Sequence, residues 1–190
     1  MITDRFPRSG TRRAEYQHSD LMTKLALPND DRFRTLALEI ETALSSGATA
    51  PVRAACAALL SEAARCYEVS PPKVRVLAAR PVRVYEKRAT ELFGDYDPVT
   101  AVIRVWMRTA VQRRLTSFGT FLSTLCHELC HHLDQRAFGF PGTPHTRGFY
   151  QRTAVLYHHC RGTPLRPLVW RLNTQGCWQV DWSQMRQPPG

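Results

Sequence analysis

Two histidines four residues apart, His127 and His131, enclose Glu128 in the run His-Glu-Leu-Cys-His. On a helix, residues four apart share a face, so both imidazoles can aim a ring nitrogen at one metal ion. Glu128, one residue further round, stands beside that pair without joining it. Two neutral imidazoles with an adjacent carboxylate suit a zinc hydrolase, giving ligands for Zn²⁺ and a base that takes a proton from water. His127 and His131 are therefore read as zinc ligands and Glu128 as the general base.

That chemistry requires a helix, and the flanking residues predict one. Phe118, Phe121, Leu122, Leu125, Cys126, Leu129 and Leu133 recur at three- and four-residue steps, forming a buried stripe that His127, Glu128, His131 and Asp134 avoid. Thr116 or Ser117 is placed to cap the start, and Gly139 with Pro141 marks the end. Asp134 is a candidate to orient a ligand imidazole through its outer nitrogen. His132, Arg147, Tyr150 and Tyr157 are candidate oxyanion donors.

Catalytic zinc takes three protein ligands as a rule. No glutamate follows Glu128, which excludes a third ligand of that type from a later helix, and Ala137 occupies the position six residues past His131. His145, His158, His159 and Asp181 remain. His145 is chosen because Thr143 and Pro144 suit the cap and first position of a helix running to about Cys160 and ended by Gly162. The thirteen residues between His131 and His145 allow one helix to end and the chain to return.

With His127-Glu-Leu-Cys-His131 followed by His145-x-x-x-Phe149, the sequence resembles the SprT-like zinc metallopeptidases, whose pattern is His-Glu-x-x-His and then His-Gly-x-x-Phe. The resemblance covers roughly residues 74 to 160. It implies a zincin-like fold, a peptide or protein substrate, His127, His131 and His145 as ligands, and Glu128 as base. Thr146 stands where the family has Gly, and no zinc-ribbon pattern follows.

The elements that must carry these residues read as follows. Residues 1–28 are polar, Arg-rich and aperiodic, and are expected to be flexible. Asn29-Asp-Asp31 precedes a helix with Phe33, Leu36, Ala37, Ile40 and Leu44 on its apolar face; a second helix with Val52, Ala55, Cys56, Leu59, Leu60, Ala63 and Tyr67 inward follows, to Pro71-Pro72. The period then changes to two, giving strands around Val74–Val76, Val82–Val84, residues 92–96 and residues 101–106. The last is a candidate edge for holding an extended substrate. This order predicts an α+β domain over 29–162, with a small mixed or antiparallel sheet packed against the metal-binding helix and its flanking helices. Residues 163–190, rich in Pro and Trp, are read as a tail packed on that domain.

A length of 190 residues and an apolar fraction of 43% suit one domain with a core. No run approaches a membrane span, and the first residues lack a secretory apolar core, so a cytoplasmic protein is expected. The six cysteines lack paired spacings, which favours reduced thiols. The net charge of +10 is almost wholly arginine, with only Lys24, Lys73 and Lys87 as lysines. It is compatible with nucleic-acid association, although the arginines are scattered and do not alternate with aromatics. The competing reading is a non-catalytic zinc module that binds protein or nucleic acid.

Overall fold

Helical and strand periods segregate along the chain into an α+β arrangement. The computed structural model describes residues 1–85 and 88–185; the end of the expected tail, 186–190, lies outside them. The elements begin with α1 (Thr11–Leu21), α2 (Arg32–Ser45) and α3 (Thr49–Cys66). Strands β1 (Lys73–Ala79), β2 (Val82–Tyr85), β3 (Arg88–Glu91), β4 (Gly94–Asp97) and β5 (Val102–Arg108) follow. Then come α4 (Phe118–Arg136), α5 (Arg147–Arg161), β6 (Trp170–Leu172), β7 (Trp178–Val180) and α6 (Trp182–Met185).

The expected apolar faces of α2 and α3 are buried, and with the stripe of α4 they form one core. Helix α3 stops at Cys66, five residues before Pro71, because Glu68 takes a left-handed backbone (φ 54°) that ends the helical turn. The main sheet is mixed, in the order β1-β5-β4, with β1 parallel and β4 antiparallel to β5. Strand β5 is therefore central, with Ile103, Val105 and Met107 buried, and cannot be the substrate edge; β4 is the strand at the border facing α4. Strand order depends on long-range pairing, which local periodicity does not carry.

Residues 11–21, read from sequence as part of a flexible segment, form α1 docked on α5. Gly148 of α5 makes that approach possible, since a β-carbon there would collide with the Ser19 carbonyl. Tyr16 and Ser19 are buried in the contact. The chain start then pairs with the C-terminal hairpin β6–β7: Ile2 bridges Gln179, and Thr3 N donates to Trp178 O at 2.8 Å. No described helix is long and apolar enough to cross a membrane.

Candidate metal centre

Helix α4 presents the His-Glu-x-x-His run because its two sides differ. Ser117 caps it by accepting from Thr120 N, while Thr116 instead meets the Arg80 guanidinium. Phe121, Leu122, Leu125, Cys126, Leu129 and Leu133 fix one side in the core, leaving His127 and His131 half-buried on another. After Arg136 the chain turns through Gly139, in the left-handed region at φ 73°, seats Phe140 in the interior and returns to His145.

The three imidazoles converge. His127 Nε2 lies 3.1 Å from His145 Nε2 and 3.2 Å from His131 Nε2, and the ligand atoms of all three fall within 4.8 Å of one another. Ligands held by tetrahedral Zn²⁺ at about 2.0–2.1 Å stand roughly 3.3 Å apart, so the observed spacing and the all-nitrogen donor set fit that ion. His145 completes the set; His158 bonds Thr163, His159 packs on Phe33, and Asp181 bonds Ser183.

Outer contacts orient the rings. His131 Nδ1 is hydrogen-bonded to Thr143 Oγ1 at 2.6 Å, a contact that orients the ring and leaves Nε2 for a metal. Thr143 delivers that hydroxyl from a left-handed backbone, φ 36°, so it does not cap the following helix. The cap is Thr146, whose buried Oγ1 accepts from Phe149 N and meets Ser19 Oγ. His145 consequently precedes α5 instead of opening it. It is held by Asp4: His145 N donates to Asp4 Oδ2 and Asp4 N to His145 O, each at 2.8 Å, and Nδ1 faces Asp4 Oδ1 at 3.5 Å. Nothing in the local pattern marked Asp4, which lies 141 residues away in sequence.

Phe149 explains its own spacing. Fully buried one turn into α5, it places its ring 4.9, 4.5 and 5.1 Å from those of His127, His131 and His145. This apolar floor shields one side of the three imidazoles from water. Burial lowers the pKa of His127 to about 3 and that of His131 to about 2, and the other nearby imidazoles push in the same direction. Both rings are thus neutral, as metal ligation requires.

Glu128 is 6% exposed and makes no ion pair among the described residues. Burial, with a smaller push from Asp95, raises its pKa to about 8. Gly94 of β4 crosses directly over it; a β-carbon there would sit 2.9 Å from Glu128 Oε1 and 2.5 Å from Thr124 Cγ2. His127 and Glu128 line a cleft of about 930 Å³ between α4, α5, the β3–β4 segment and the C-terminal segment.

Four expectations for supporting residues change. Asp134 does not orient a ligand: it is fully buried and accepts two bonds from Arg152 Nη2, at 2.7 and 2.8 Å. Among the proposed oxyanion donors, Arg147 pairs with Asp20, and His132 sits between Tyr96 and Ser70. Tyr150 donates to Ile2 O at 2.8 Å while its ring stacks on His145. Tyr157 lines the cleft, two turns of α5 beyond Tyr150. Compared with known proteins, the chain matches no family model, no curated protein and no solved structure.

Proposed function

We propose that this chain is a zinc-dependent metallopeptidase with a zincin-like arrangement, in which His127, His131 and His145 hold the ion and Glu128 is the general base. The observation that carries this reading is the convergence of three Nε2 atoms beside a buried carboxylate that opens on a cleft and, among the described residues, has no ion-pair partner. Zinc, when bound, supplies a Lewis acid that acidifies water and polarises a carbonyl.

The chain's own groups account for the proton. Glu128, made more basic than an exposed glutamate by burial, accepts a proton from the attacking water on a carboxylate oxygen and hands it to the departing amine. The Phe149 floor keeps His127 and His131 neutral, and Thr143 and Asp4 fix the rings of His131 and His145. A peptide is favoured over a smaller substrate because edge strand β4 borders the cleft, where an extended chain can add backbone hydrogen bonds. A non-catalytic zinc module has no use for a buried glutamate without an ion-pair partner among the described residues, since its desolvation costs stability. The test is hydrolysis of an unfolded protein by the zinc-loaded chain and by its Glu128→Gln variant. Turnover that disappears in the variant while zinc stays bound supports the peptidase; equal rates, or none in either, contradict it.

A further inference from the structure

The cleft continues well past the histidines. Along α4 it is floored by Gly119, Thr120, Ser123 and Thr124, one small-residue strip leading up to His127 and Glu128. From Gly119 to Glu128 the helix advances about 13 Å, the length of roughly four residues of extended chain. Around this floor stand the apolar side chains of Leu92 and Phe93 before β4, Tyr157 on α5, and Leu168 and Trp182 in the C-terminal segment, with the polar groups of Glu91, His158 and Arg166 also on the lining. Phe93 and Trp182 remain 45% and 47% exposed, although burial is the usual fate of such side chains. The Phe93 ring is also fixed, with the Arg80 guanidinium carbon 3.9 Å from its centre. Arg80 is itself buried and paired with Glu91 at 2.9 Å, so the rim is a prepared surface and not a loose side chain.

Small residues below and large apolar ones around them make space for bulky side chains. A narrow or charged floor would suit Gly-rich or Lys-rich segments better. We infer that the trough between Phe93 and Trp182 binds large apolar or aromatic side chains of an extended polypeptide, on one side of the bond placed at the metal centre; this rests on the peptidase reading for its substrate class. Because the trough is continuous with the site that holds Glu128, such side chains would set specificity instead of merely adding affinity elsewhere. Ser123, in the middle of the floor, is the position from which a larger residue would fill the space.

The experiment separates this inference from the peptidase reading by measuring binding and cleavage independently. Two fluorescein-labelled peptides, one of Gly and Ser only and one with Leu-Phe-Leu at its centre, are titrated by anisotropy against zinc-loaded Glu128→Gln protein. The apolar peptide is expected to bind at least about tenfold more tightly, and Ser123→Phe in the same background should erase that preference with zinc content and thermal midpoint unchanged. If Ser123→Phe fails to fold, Trp182→Ser replaces it, with the preference expected to fall. Equal binding of the two peptides, no binding of the apolar one at about 1 mM, or a preference that survives both variants would overturn the inference. Wild-type protein that binds the apolar peptide selectively and cleaves neither would leave the trough standing and refute the peptidase; cleavage of both without preference would do the reverse.

Discussion

Helix α4 buries two carboxylates six residues apart, and they are treated in opposite ways. Asp134 is fully buried, and Arg152, also fully buried, grips it with two hydrogen bonds. The same guanidinium donates to the carbonyls of Ser19 and Met22, so one cation joins α4, α5 and the end of α1. Glu128, nearly as buried, has neither cation nor fork among the described residues and faces a cleft. A buried carboxylate matched by a cation serves architecture, whereas one without a described cation beside three histidines is the costlier arrangement, and the proposed chemistry accounts for it.

The sharpest way to separate the two acids is to neutralise each. Glu128→Gln should lower kcat by about 10²–10⁴-fold, the usual contribution of a general base, with zinc content and folding retained; peptide hydrolysis and elemental analysis read both. Next in size is Arg152→Met, which strands Asp134 without its cation and should cost about 3–5 kcal/mol of stability, measured by urea unfolding of metal-free protein. A cost for Arg152→Met no larger than that of an exposed arginine would break the contrast. Asp4→Asn keeps an acceptor for His145 N but removes the charge facing Nδ1, so zinc affinity should fall about tenfold or more in a chelator competition, and Asp4→Glu should restore part of it.

The smallest effect is a slope. In metal-free protein Glu128 titrates near 8 against an ordinary 4.5, so the native state holds a proton there that the unfolded chain releases between those values. Stability from this group is therefore full at or below pH 4.5 and is lost as pH rises towards 8. Wild type should lose stability relative to Glu128→Gln by up to about 1.4 kcal/mol per pH unit across that window. A difference independent of pH would show that the carboxylate is not held in the apolar surroundings described.

What could be read in advance follows from the range of each interaction. His127, Glu128 and His131 were legible because one helical period places them and one apolar stripe orients the helix. His145 was legible by elimination, but its setting was not, since the position of the cap depends on which threonine hydroxyl reaches Phe149 N. Asp4 and Arg152 act across 141 and 18 residues, and no local pattern encodes such pairs. The burial of α1 likewise depended on Gly148 meeting Ser19. The central place of β5 depended on strand order, which alternation of side chains leaves open.

The central claim is that His127, His131 and His145 together hold one zinc ion. Elemental analysis of dialysed wild-type protein beside His145→Ala tests it most directly. About one zinc per wild-type chain, sharply reduced in the variant, is the predicted result. Full retention of zinc by His145→Ala, or no zinc in wild type after reloading, would contradict it.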